Sequence, residues 1–208
     1  PEYDNFIWPH VQRKAAIIER MLSNDEDIYE TSKGLPLPKL RRESVLEMSL
    51  VAHPVKDGLI MGRVDRHFPL YYSNAIGYLG LTEAATLSDR LGHGIISSRW
   101  RMEAQMLQEA WGAAYRASDE NPDNPRTYSS GLWPSGVAYP LRDLFLQNIA
   151  KRWQRTRDQH NGFRYDLVRT NYAISDAHQW LYLGDLDHVW KTLEWLWSTQ
   201  SSPGLYTW

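Results

Sequence analysis

Apolar residues recur every three or four positions along most of this chain, a period that suits helices and little else. Trp100, Ala104, Leu107, Trp111 and Ala114 line one side of a helix that should be capped by Ser97 or Ser98 and run to about residue 117. Val11, Ala15, Ile18 and Leu22 predict a first helix over 8–22. Leu141, Leu144, Phe145, Ile149 and Trp153 predict another over 137–155, with Arg142, Lys151, Arg152 and Arg155 turned to solvent. Shorter helices are expected over 42–52, 70–79, 82–91, 172–183 and 186–197. Residues 54–69 read as a loop, and no strand alternation, βαβ pattern or Gly-rich phosphate loop is visible.

Glycines punctuate these segments. Gly80, Gly92 and Gly184 each follow a periodic run and read as C-terminal caps, where a residue without Cβ relieves the left-handed turn. Thr82 then reads as the N-cap of the helix after Gly80. Tyr78-Leu79-Gly80-Leu81 is echoed by Tyr182-Leu183-Gly184-Asp185, as in a repeat of helical hairpins. The fold class is therefore all-α, built of stacked α-hairpins. A single helical domain spans 1–208, with N-terminal helices and a connector over 1–53 and hairpins over 54–208.

Composition removes several function classes. A formal charge of −2 gives no bulk attraction for nucleic acid or an anionic membrane. No apolar run approaches the ~18–20 residues of a bilayer-spanning helix. Without cysteine there are no disulfides, thiolate metal sites or cysteine nucleophiles. Asp119, Asn121 and Asp123 alternate like the start of a calcium loop but lack its Gly and closing Glu. The histidines are scattered and no serine sits in a nucleophile elbow, so neither metal nor cofactor is expected. The informative excess is 10 Trp and 12 Tyr against 4 Phe. Such rings join a flat apolar face to a polar edge and suit sugar stacking, although most of them should fill the core.

Longer motifs add a resemblance. Asp57 to His67 (DGLIMGRVDRH), Tyr71 to Leu81 (YYSNAIGYLGL), Arg126 to Ser135 (RTYSSGLWPS), Ala177 to Trp180 (AHQW) and Ser198 to Trp208 (STQSSPGLYTW) resemble bacterial proteins of the six-hairpin glycosidase type. The resemblance runs from about residue 8 onward. It implies an α/α toroid of which this chain holds about three hairpins, and a glycoside hydrolase-like domain acting on or binding a carbohydrate. The similar proteins continue past Trp208 with an acidic segment, so a longer parent is expected and one catalytic carboxylate is in question.

In such a toroid, loops entering the inner helices line the cleft, here 54–69, 92–98, 156–172 and 199–208. The first holds Arg63, Asp65, Arg66 and His67. Glycoside hydrolysis uses two carboxylates across the scissile bond. Asp65 is the candidate catalytic carboxylate, with His67 the second catalytic candidate beside it. Arg63 and Arg66 are candidate substrate-binding residues that would favour an ionised Asp65; an Arg–Asp pair that only fixes the loop is the competing reading. Tyr165, near Asn161, Arg164 and Asp166, His178, flanked by Asp176 and Gln179, and Trp208 complete the substrate-binding set. His178 reads equally as a packing histidine. Trp133-Pro134-Ser135 is distinctive but falls at the hairpin end away from the cleft, without a role. The dense basic stretch 151–157 reads as a solvated face. Two rivals remain: a non-catalytic scaffold binding sugar or protein, and a sugar epimerase or lyase using Tyr165 or His67 with Arg66. An unclosed ring would leave apolar faces open, so a homo-oligomer or a partner-bound chain is expected if the chain is part of a longer parent.

Overall fold

A computed structural model describes residues 2–29, 50–63, 70–117, 130–157, 170–198, 200–202 and 205–206. The described residues are mostly helical, with two small antiparallel sheets, and none of their helices is long and apolar enough to cross a membrane. The chain divides into two compact units, Pro1–Trp111 and Gly112–Trp208, and each is described by itself.

The first unit begins with α1 (Glu2–Ser23), six residues longer at its start than its apolar stripe predicts. That stripe packs as expected: Trp8, Val11, Ile18 and Leu22 lie against buried Ala15, Leu81, Ala84, Ala85, Trp100 and Ala104. A three-stranded sheet follows, in the order β1 (Ile28–Tyr29), β2 (Leu50–Lys56), β3 (Leu59–Gly62). It overturns two expectations, a helix reaching residue 52 and an irregular loop from 54. The reason is Asp57-Gly58. Both residues have positive φ, 53° and 75°, and Lys56 pairs with Leu59 across them. A two-residue Asp-Gly turn of this hand matches strand twist and closes a hairpin, so Ala52, Leu59 and Ile60 are buried as strand residues.

Gly80 does not end a helix. One helix, α2 (Leu70–Arg90), runs straight through it, and the Thr82 hydroxyl bonds back to Tyr78 O at 2.9 Å instead of capping a new helix. The two small residues serve close packing: a Cβ on Gly80 would stand 3.0 Å from Ile18 Cδ1, and one on Gly77 would stand 3.1 Å from Ile60 Cδ1. Buried Asn74 locks α2 to the sheet, its Oδ1 accepting from Ile60 N at 2.8 Å while Nδ2 donates to Ile60 O at 2.9 Å. Gly92, with φ 79°, does close α2. The next helix, α3 (Gly94–Ala117), starts three residues before the expected Ser97 cap, because Ser97 N already donates to His93 O at 3.1 Å.

The second unit opens with the end of α3, from Gly112, and its described residues resume with turns over 130–138, then a short 3₁₀ helix Tyr139–Leu141 leading into α4 (Arg142–Thr156). The expected helix start at 137 is thus delayed to the far side of Pro140. α5 (Thr170–Leu183) and α6 (Leu186–Ser198) form a hairpin through Gly184. Gly184 has φ 84°, with Asp185 N donating to Trp180 O and Gly184 N to Leu181 O, both at 3.0 Å. This is the predicted glycine cap. Asp185 then caps α6: its Oδ1 accepts from His188 N at 3.1 Å, and its Oδ2 lies 2.8 Å from His188 Nδ1. Two strands, β4 (Gln200–Ser202) and β5 (Leu205–Tyr206), pair where a plain loop was expected.

Arg152 corrects the reading of 151–157 as a solvated face. It follows Phe145 and Ile149 at helical spacing, all three are at most 2% exposed, and it therefore lies on the buried stripe of α4. There it meets Asp176 of α5 at 2.7 Å. Arg157 is buried too, over the Trp153 ring at 3.6 Å and donating to Thr192 Oγ1 at 3.0 Å.

Candidate functional site

The Trp133 turn is held by one side chain. Gln179 faces the core of the second unit from α5 and is 0% exposed. Its Oε1 accepts from Leu132 N at 3.0 Å and from Trp133 N at 3.2 Å. Its Nε2 donates to Trp133 O at 2.8 Å, with Ser175 O at 3.5 Å. The two main-chain donors fix which terminal atom is oxygen, and the two carbonyls fix the nitrogen. A buried amide is costly unless satisfied. Here three of those bonds fix the backbone on both sides of a single tryptophan.

The rest of the turn is equally constrained. Ser135 Oγ donates to Ser130 O and accepts from Val137 N at 3.2 Å. The Trp133–Pro134 peptide is cis. A Cβ on Gly131 would enter the Phe145 ring, and one on Gly136, whose φ is 71°, would stand 2.7 Å from Tyr139 Cε2. The outcome is a half-buried indole beside exposed Pro134 and an exposed Tyr139.

His178, one residue before Gln179, backs that indole. The rings are stacked at 4.0 Å between centroids and 21° between planes. His178 Nδ1 is buried and has no hydrogen-bond partner among the described residues. Leaving such an atom unsatisfied costs about 1–3 kcal/mol.

Two residues before His178 on α5, Asp176 pairs with Arg152 inside the unit. Burial pushes the Asp176 carboxyl above its ordinary value, against the opposing pull of Arg152 and then Arg157. Its carboxylate is 6% exposed, so it fastens α5 to α4 and cannot meet a ligand. The neighbouring core is aromatic: His188 stacks on Trp180 at 4.1 Å and stands edge-on to Trp153 at 4.4 Å.

Two of the sequence-predicted site residues lie among the described residues. His178 is in the Trp133 cluster. Arg63 follows β3 in the first unit, half-buried, its N–H donating to Val51 O at 2.8 Å. Asp65, Arg66, His67, Tyr165 and Trp208 lie outside the described residues, as do Asp119, Asn121 and Asp123. Among the described residues no group of three or more His, Cys, Asp or Glu could hold a metal ion. Sequence reasoning left Trp133 without a role and took Gln179 for a neighbour of His178. The available signal was an amide on the buried stripe of α5, between Asp176 and Trp180. Compared with known proteins, the chain matches no family model, no curated protein and no solved structure.

Proposed function

We propose that this chain is a carbohydrate-active domain of the glycoside hydrolase-like, α/α-toroid kind, and that it contacts its glycan on the Trp133 face. The supporting observation is the fixation of one half-buried indole by a fully buried glutamine, with a histidine ring stacked on it. A rigid, partly wet aromatic face is what a pyranose ring needs for CH–π stacking without a large ordering cost on binding. The motif resemblance supplies the catalytic expectation, with Asp65 as carboxylate, His67 beside it, and Arg63, Arg66, Tyr165 and Trp208 toward the sugar.

A second reading is favoured by one detail. Asp176, two residues before His178, is sealed in an ion pair, which suits sugar binding without catalysis. A panel of oligosaccharides, read by tryptophan fluorescence and by reducing-end release, tests both readings. Trp133→Ala should weaken binding about tenfold, the scale of one aromatic stack, while retaining the helical spectrum. Binding that survives Trp133→Ala unchanged removes the platform. Binding without turnover, by this chain and by any longer form, selects the scaffold reading.

A further inference from the structure

Helix α6 carries apolar residues at the 4-3-4 spacing of a heptad seam: Leu186, Trp190, Leu193 and Trp197. Three of the four stand out of the protein, Leu186 being 56%, Trp190 54% and Trp197 52% exposed, while Leu193 is half-buried. The two indoles lie 6.3 Å apart, tilted by 50°, and form a ridge along the helix. The opposite side of α6 is already occupied by fully buried Thr192, which bonds to Arg157. The ridge is therefore surplus to the packing of its own unit.

We propose that α6 is a self-association surface, on which two copies of this chain pair their α6 helices antiparallel about a two-fold axis between Lys191 and Thr192. The sequence of the seam favours that occupant. Antiparallel pairing about this point sets each tryptophan against a leucine, Trp190 opposite Leu193 and Leu186 opposite Trp197 of the second copy. Each layer then joins a large side chain to a small one, which fills space evenly. A parallel pair would set indole on indole and leucine on leucine, crowding two layers and leaving voids in the others.

Extent sets the strength. Half-exposed indoles and leucines remove roughly 400 Å² per copy from water, about half of the ~800 Å² per partner of a stable interface. The dimer is therefore reversible and forms in the micromolar range. Charge adds a signature. Asp187 and Glu194 border one edge of the seam, and the antiparallel arrangement brings Asp187 of one copy toward Glu194 of the other. Salt screens that repulsion, so this dimer tightens as salt is added, whereas an ionic contact would loosen.

Analytical ultracentrifugation of the whole chain, from low to high micromolar concentration at two salt levels, tests the inference. The expected result is a monomer–dimer equilibrium that strengthens with salt. Trp190→Glu and Trp197→Glu, both at exposed positions, should each weaken it tenfold or more with unchanged melting temperature. Because the chain has no cysteine, its orientation can be trapped under mild oxidation. Leu193→Cys mixed with Trp190→Cys should give a disulfide-linked pair, and Leu193→Cys alone should give none. A monomer throughout the range, a dimer indifferent to both Glu variants, or self-linkage at position 193 overturns the proposal.

Discussion

Replacing Gln179 by Glu exchanges one amide nitrogen for oxygen and should make the stability of the second unit depend on pH. The accepting half of the side chain keeps its bonds from Leu132 N and Trp133 N. The other half, now a carboxylate oxygen, faces the Trp133 carbonyl oxygen across 2.8 Å with no proton between them. The protonated acid restores a donor. Folding therefore favours the neutral form, raising the folded pKa of the introduced carboxyl above the ~4.3 of an unfolded chain. With a raised folded value, the native state holds the extra proton. Stability is then fully retained below the unfolded value, falls as pH rises above it, and levels off past the folded value. Burial shifts fully buried acids upward by as much as ~3–5 units, and the two retained N–H donors hold this one to the lower end of that range. At about 1.4 kcal/mol per pH unit, the loss at neutral pH is about 3–4 kcal/mol. Urea unfolding of both proteins between about pH 4 and pH 8 measures it, the wild type cancelling the chain's other titrations. A difference that does not change with pH, or one below ~0.5 kcal/mol at neutrality, would refute the assigned hydrogen bonds.

The buried pair gives an asymmetric expectation. Arg152→Met should destabilise by about 3–5 kcal/mol by stranding Asp176, and adding Asp176→Leu should recover most of that loss in denaturant titrations. An uncorrelated pair of losses would deny the coupling. Asp185→Ala should remove about 1 kcal/mol through loss of the α6 cap. Burial pushes the Asp185 carboxyl upward, but the hydrogen bonds from the His188 side chain and backbone outweigh it and hold it below 3.8. The capping contribution is thus complete above pH 3.8 and disappears as pH falls through the depressed folded value. The wild-type advantage over Asp185→Ala should therefore be level near neutrality and shrink in acid; an advantage that persists in strong acid contradicts the cap.

How much was legible depended on how local the determinant was. α1, α5 and α6 were readable because each carries an unbroken apolar stripe, and Gly92 and Gly184 because a positive φ at a helix end demands glycine. Gly80 misled, since a glycine chosen for close approach to Ile18 looks in sequence like one chosen for its backbone angle. The β2–β3 hairpin escapes the sequence reading although Asp57-Gly58 announces it, because β3 is short and almost wholly buried and β2, interrupted by Pro54, buries only Ala52, so neither alternates cleanly. In sequence Arg152 reads as a surface cation. Its position on the stripe with Phe145 and Ile149 was visible, but the compensating Asp176 lies on another helix and no sequence spacing reveals it. Trp133 and Gln179 were legible only as odd residues, because their partnership crosses the segment between α4 and α5.

The 130–136 turn has a consequence for how this protein can diverge. Gly131 has no room for a side chain beside Phe145, Gly136 needs both its positive φ and its closeness to Tyr139, and the intervening backbone is bonded to Gln179. A change at any one of these positions strands the others. The segment and the glutamine should therefore be inherited or lost together, as one unit. Distant kin, whose helices have drifted beyond recognition, should still be traceable by a Ser-Gly-Leu-Trp-Pro-Ser-Gly run followed by a glutamine on the second helix after it. A lineage that keeps the run but replaces the glutamine should carry a new acceptor for Leu132 and Trp133 elsewhere.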